Sequence, residues 1–258
     1  MSKKRRSENH EHLKFLEQTL HLNGQALVEG PTKKKTWSIH DLKSIQPLTE
    51  NQRLMFEGFS EGYNLFAHGS AGTGKTYLAL YLALSEVLRL EKKQQTKIII
   101  VRSAVPSRDS GFLPGTYEEK MAIYEAPYKD ICADLIGRQS TYDNMKEAGL
   151  IEFQSTSYLR GLTWDDTIVI IDEIQSMTWH ELNTVITRLG KNARLMVIGD
   201  RAQNDLVYKR NELTGIESAF KVIDRLSNDF WQINFKPDDI CRSRFVKAWI
   251  LACEEVGV

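Results

Sequence analysis

YNLFAHGSAGTGKTYLALYLALSEVLRLE, residues 63 to 91, joins a short apolar run to a long apolar helical pattern through eight residues, three of them glycine. Those eight, GSAGTGKT from Gly69 to Thr76, fit the phosphate-binding pattern G-x-x-x-x-G-K-[ST], in the strand and helix context that the pattern requires. Glycines let such a loop curl until several N–H groups face one phosphate chain, and the helix start adds a favourable dipole. In this pattern Lys75 reaches the β- and γ-phosphates and Thr76 ligates Mg2+. The expected nucleotide contacts are therefore Gly69, Ser70, Ala71, Gly72, Thr73, Gly74, Lys75, Thr76 and the adjoining Tyr77.

Outward from this loop, strand and helix signals alternate. LTENQRLMFEGFSEG, before it, reads as a helix. After it come a strand KIIIVR, a helix near EEKMAIYEAPYKDICADLIG and a short strand GLIEFQS. A buried strand TIVIID, a helix TWHELNTVITRLG and a strand ARLMVIGD follow, then a helix near TGIESAFKVIDRLS, a strand DFWQINF and a terminal helix. Short apolar strands separated by helices predict an α/β domain, with a mostly parallel sheet covered on both faces.

Two strand ends carry acids. Ile168 to Ile171 are four consecutive aliphatics, and Asp172 and Glu173 follow at the carboxyl end, where open α/β sheets place their ligands. Asp172 is expected to hold Mg2+ through water, and Glu173 to orient and polarise an attacking water. The adjacent pair favours hydrolysis over a metabolite kinase, which transfers phosphate to a substrate hydroxyl and has less need of a water-activating glutamate. MVIGDRAQNDL repeats the arrangement, with Asp200 and Gln203 expected to sense the γ-phosphate or hold the water. LTENQ has two readings. Thr49 and Gln52 have capping-box spacing, and Gln52 also stands where some helicase-like ATPases carry an adenine-reading glutamine.

Residues 1–47 differ in composition, with basic clusters KKRR and KKK around one expected amphipathic helix that ends near Asn23 and Gly24. The boundary is expected there, with one ATPase domain over 48–258. Lys+Arg and Asp+Glu both number 34 in the 258 residues, so no global field draws the chain to nucleic acid or an anionic membrane. No uninterrupted apolar run approaches the roughly 18 residues that span a bilayer. Polar sequence follows the basic start, which predicts no secretory leader. Cys132, Cys241 and Cys253 lack CxxC or zinc spacing, so free thiols in the cytoplasm and no membrane partner are expected.

The set GSAGTGKT, SGFLPGTYEEKM, RGLTWDDTIVIIDEIQ, TRLGKNARLMVIGDRAQNDL and DDICRSRFVKA resembles the PhoH family, from about Leu48 to the C-terminus. The resemblance implies a RecA-like P-loop ATPase domain similar to the first motor domain of superfamily 1 helicases. It also implies ATP and Mg2+ as ligands, assembly into a homo-oligomeric, hexameric ring, and a role in RNA or single-stranded DNA metabolism. Two positions depart from the family: Arg102-Ser103 replaces its usual Arg-Pro, and DEIQ its usual DEAQ. Neither change removes a catalytic group. Arg242 aligns with the family's C-terminal arginine motif, with Arg244 as competitor, and a single motor domain suggests a finger supplied to the adjacent subunit. The catalytic set is then Lys75, Glu173, Gln203 and Arg242. Arg102, Arg108, Tyr158, Arg160 and Trp164 are the candidates for backbone tracking and base stacking on nucleic acid, with the neighbouring subunit's ATP as the alternative phosphate for Arg102 and Arg108. A nucleotide-controlled assembly protein that recruits protein partners is the alternative.

Overall fold

A computed structural model describes residues 37–89, 91, 94–103, 116–156, 159, 161, 163–200 and 215–256. The expected N-terminal helix, Arg108, Tyr158, Arg160 and Gln203 lie outside the described residues. Residues Trp37–Val258 form one compact unit.

Six strands form the sheet: β1 (Asn64–Gly69), β2 (Lys97–Arg102), β3 (Ile151–Ser155), β4 (Thr167–Asp172), β5 (Arg194–Gly199) and β6 (Phe230–Phe235). Their order is β3-β2-β4-β5-β1-β6, and every pairing is parallel. Seven α-helices are described: α1 (Glu50–Ser60), α2 (Lys75–Val87), α3 (Tyr117–Ile136), α4 (Thr141–Glu147), α5 (Trp179–Ile186), α6 (Gly215–Ile223) and α7 (Arg244–Val256). Each strand and helix expected from Leu48 onward is present. The short helix α4 is additional, and it returns the chain from α3 to the edge strand β3.

Successive side chains of a strand point to opposite faces, so each buried strand must satisfy two cores. Ile98, Ile100, Ile168, Ile170, Met196 and Ile198 enter one core, with Met55 and Phe59 of α1, Leu78 and Leu82 of α2, and Met121, Tyr128 and Leu135 of α3. Ile99, Val101, Val169, Ile171, Leu195 and Val197 enter the other, with Leu182 and Val185 of α5 and Ile216 and Ala219 of α6. Because both sides are covered, β4 is buried along its whole length, and its sequence reads as a continuous apolar run rather than an alternation. Trp37 is buried in the first core, and Leu42 and Ile45 pack against that core.

The order places β5 between β1 and β4, the arrangement of a RecA-like P-loop domain. All six strands run the same way, so the carboxyl ends of β1, β2, β4 and β5 open on one edge. Register then matters for chemistry. Arg102 stands directly opposite Asp172 across the β2–β4 ladder, and His68 opposite Gly199 across β1–β5.

Candidate nucleotide site

The chain leaves β1 at Gly69, whose φ is +113°, and a Cβ there would stand 2.0 Å from the carbonyl oxygen of Phe235 at the end of β6. Only glycine fits that exit. Gly72 and Gly74 also have positive φ, and Gly74 caps the start of α2. Apolar residues bury most of the surface of α2, so the helix is anchored between sheet and neighbouring helices while its N-terminus stays at the loop.

The ammonium of Lys75 folds back on the loop, donating to the carbonyl oxygens of Gly69 and Ser70, each at 2.7 Å. Burial lowers its pKa, opposed by the charges of Asp200, Glu173 and Asp172. Thr76 Oγ1 donates to Asp172 Oδ1 at 3.0 Å, so hydroxyl and carboxylate meet over the first turn of α2. These are hard oxygen ligands of the kind Mg2+ takes, and the pair fits that ion. Asp172 Oδ1 also accepts from the Glu173 amide at 3.1 Å, and its Oδ2 accepts from the Tyr128 phenol at 2.8 Å. Even so, burial first and Glu173 second raise the Asp172 pKa above the usual carboxylate value. A nearby cation is therefore favourable at this position.

Glu173 holds a left-handed backbone, φ +56°, immediately after the strand. For a non-glycine residue that conformation is costly, and such strain clusters at functional sites. Its carboxylate accepts from the Gln175 amide, and Gln175 Oε1 accepts from the Asp200 N–H at 3.0 Å. Buried Gln175 thus ties the ends of β4 and β5 together. A Cβ on Gly199 would stand 2.2 Å from Ile174 Cγ2, so the two strand ends also require that glycine.

Gly72 to Thr76, Asp172, Glu173, Gly199 and Asp200 line a cleft of about 660 Å³, together with Ala71, Tyr77, Arg102, Ile198, Arg242 and the α3 residues Pro127, Asp130, Ile131 and Asp134. Five carboxylates and three cations line it, an acidic excess that a polyphosphate would meet most readily together with a divalent cation. A second cavity of about 490 Å³ adjoins it, bounded by Ile45, Leu48, Gln52, Gly72, Gly74, Tyr77, Leu78, Cys241 and Arg242.

The PhoH-like protein family matches residues 44–254. The chain belongs to this family. It is 39% identical to a PhoH-like protein of Bacillus subtilis over 83% of this chain and 65% of that one. It is 33% identical to a PhoH-like protein of Mycobacterium leprae over 83% of this chain and 59% of that one. Protein PhoH of Escherichia coli is 33% identical over 79% of this chain and 56% of its own. The chain therefore spans between about half and two thirds of the length of these relatives. Among solved structures, Pif1 helicase from Candida albicans is similar at a TM-score of 0.38 and 20% identity, covering 74% of this chain and 40% of that one.

In this PhoH-like chain the expected phosphate and metal groups, Gly69 to Tyr77, Asp172, Glu173 and Asp200, converge on the strand-end edge, and all but Gly69 and Ser70 line the 660 Å³ cleft. Those two accept the hydrogen bonds of the Lys75 ammonium. Gln52 completes only half of a capping box. Its backbone N–H donates to Thr49 Oγ1 at 3.4 Å, but its side-chain oxygen accepts from Leu48 N, not Thr49 N. Its amide nitrogen donates to Thr73 O at 3.1 Å and Cys241 Sγ at 3.3 Å, bracing α1 against the loop.

Arg242 borders the P-loop of its own chain, where a Cβ on Gly72 would stand 3.0 Å from Arg242 Cγ. The Cys241 N–H donates to Gly72 O at 3.1 Å and draws the segment across the loop, an intrachain position for the residue expected to reach a neighbour. Arg244 opens α7, is exposed, and lines neither cavity.

One candidate for nucleic-acid contact requires correction. Trp164 is 6% exposed and packs in the second core, because its peptide pairs with Leu189 and Arg188 and turns the indole under the sheet. It has no face for a base to stack on. Arg102 stands opposite Asp172 in register and lines the 660 Å³ cleft, with its guanidinium 5.9 Å from the Tyr124 ring centre. Burial opposes its charge, but Tyr128, Asp172 and Glu173 around it raise its pKa on balance.

Sequence reasoning missed Tyr128 and Gln175 as site residues. Gln175 lies two residues after Glu173 in the same motif and was open to notice. Tyr128 stands 44 residues before Asp172, on the buried face of a helix, where only the hydroxyl of an otherwise apolar stripe hints at a polar partner.

Proposed function

We propose that this PhoH-like chain is a Mg2+-dependent ATP hydrolase coupled to RNA or single-stranded DNA. The observation that carries the reading is the meeting of Lys75, Thr76, Asp172 and Glu173 on one cleft, with Thr76 and Asp172 in hydrogen-bond contact at 3.0 Å. Lys75 exchanges its two loop carbonyls for β- and γ-phosphate oxygens, a change that leaves its charge better matched. Thr76 and, through water, Asp172 would hold Mg2+, and that ion would supply positive charge against the phosphates. Glu173, fixed by Gln175, orients a water toward the γ-phosphate and takes its proton; water adds as ADP leaves, giving ADP and inorganic phosphate. Asp200 and Gln203 report the γ-phosphate to the segment that follows β5. Tyr77 and the apolar rim at Ile45 and Leu48 receive the adenine, with Gln52 bracing that wall. Arg242 acts on the phosphates held by its own chain.

Arg108, Tyr158 and Arg160 are the proposed nucleic-acid contacts, on residue type and on the resemblance. Ring assembly belongs to the same reading, in the cytoplasm, where free Cys132, Cys241 and Cys253 suit reducing conditions. No described helix is long and apolar enough to cross a membrane.

A second reading has its own observation. α7 exposes Phe245, Trp249 and Val256 at 73%, 63% and 70%, an apolar stripe of the kind that partners cover. On this reading nucleotide controls a protein assembly and moves no nucleic acid. ATPase rate with and without RNA and single-stranded DNA, on protein of measured oligomeric state, separates the two. The first expects stimulation and salt-dependent binding. Neither binding nor stimulation leaves the second.

A further inference from the structure

The buried face of α3 is apolar at Met121, Cys132 and Leu135, and Tyr128 shares that face at 1% exposure. A phenylalanine would fill the same volume. A phenol hydroxyl in such a place costs stability unless it is paired, so its presence asks for a partner. The phenol donates to Asp172 Oδ2 at 2.8 Å, and the Arg102 guanidinium lies beside it. Asp172 is itself only 3% exposed, so bulk water is a poor substitute for that donor.

A carboxylate turns about a broad, roughly two-fold torsion, and nothing in its own chemistry decides which oxygen faces a ligand. In Asp172 the two oxygens have different partners. Oδ1 meets Thr76 Oγ1 and the Glu173 N–H on the cleft side, while Oδ2 meets Tyr128 on the helix side. Tyr128 is also held in place by its neighbours. Its ring lies 6.0 Å from that of Phe153 on β3, and the preceding Pro127 lines the cleft.

We propose that Tyr128 is a positioning residue for the metal site: by holding Asp172 Oδ2 it keeps Oδ1 turned toward Thr76 and the cation. This rests on the reading of Thr76 and Asp172 as the Mg2+ pair. It makes α3 a structural part of the site, because any shift of the helix at Tyr128 turns the carboxylate.

Tyr128→Phe removes the oxygen alone. Binding of a fluorescent nucleotide is titrated with Mg2+, Mn2+ binding is followed by electron paramagnetic resonance, and melting is compared in EDTA. Partners that orient metal ligands are worth about 10-fold to 100-fold in affinity, so half-saturating Mg2+ should rise by about 10-fold or more. Nucleotide binding in EDTA should match wild type, melting in EDTA should fall by a few degrees because a buried carboxylate oxygen loses its donor, and high Mg2+ should restore turnover. Tyr142→Phe, which deletes a buried phenol outside the cleft, should leave the Mg2+ titration unchanged. An unaltered titration in Tyr128→Phe, or an equal loss of nucleotide binding with and without Mg2+, overturns the proposal. Asp172→Asn runs alongside. If it loses Mg2+ dependence while Tyr128→Phe does not, the positioning role alone fails. If neither changes the titration, the metal pair itself is wrong and the proposal falls with it.

Discussion

Asp172 and Tyr128, at 3% and 1% exposure, stand on a central strand and a long helix, whereas Cys241 and Arg242, across the P-loop from them, lie exposed on the segment between Asp239 and α7. On the phosphate side each functional group is held from several elements at once: Asp172 by α2, by α3 and by its own neighbour, Glu173 by Gln175, and Gln175 by β5. On the other side the groups are tied through exposed or half-buried residues, a Cys241 N–H on Gly72 O and a Gln52 amide on Thr73 O and Cys241 Sγ, and apolar residues of α7 face outward. The difference teaches where precision is required. Groups that meet a developing charge must hold still before the substrate arrives, so they sit where strands end in a packed sheet. The side where the proposed reading seats the base is built from exposed segments and from a helix whose apolar residues face outward.

The largest effect that would break this contrast is at Glu173. Glu173→Gln keeps size and hydrogen bonding but removes the proton acceptor, so turnover should fall by about 10³-fold with nucleotide affinity unchanged. Single-turnover hydrolysis beside equilibrium nucleotide binding measures both. Hydrolysis equal to wild type would remove the water-activating role and leave the phosphate side with no catalytic base.

Next comes Arg242, on the exposed side. Arg242→Ala should lower turnover by about 10²-fold, the scale of losing one charge-stabilising donor. Because the side chain borders its own P-loop, mixing variant and wild-type subunits should give activity proportional to the wild-type fraction. A steeper loss on mixing would show that the arginine serves a neighbour, and the base side would then be an intersubunit surface.

The smallest effect sharpens the role of Gln52. Both ends of its amide are engaged within the protein, so Gln52→Ala should weaken ATP and GTP alike, by about five-fold for a lost hydrogen bond of roughly 1 kcal/mol. Affinities for the two nucleotides measured side by side decide it. A loss confined to ATP would mean that the amide leaves Thr73 O to read adenine.

The elements were legible because local pattern reports local environment. Apolar runs of strand length, apolar helices between them and a glycine-rich loop at the first junction set out the whole α/β alternation from Leu48 onward. The acids after Ile171 and the P-loop lysine and threonine were legible for a related reason, since motif spacing and strand-end position follow from the backbone alone. Arg102 and Trp164 were not. A charged residue leaving a strand and a tryptophan in a polar segment look like surface groups until the neighbours are known, and the neighbours are Asp172 on β4 and the core beneath β5.

By itself the sequence determined which segments become strands and helices, where the glycine-rich loop lies and which acids end the strand beside it, because each depends on residues close together in the chain. Only the tertiary structure decided that β5 lies between β1 and β4, that Arg102 meets Asp172 in register, that Tyr128 reaches the same carboxylate from α3, and that Arg242 crosses its own P-loop. Those facts depend on the order in which parallel strands join the sheet. That order is chosen by crossovers and by the packing of two cores, and it leaves no local periodicity to read.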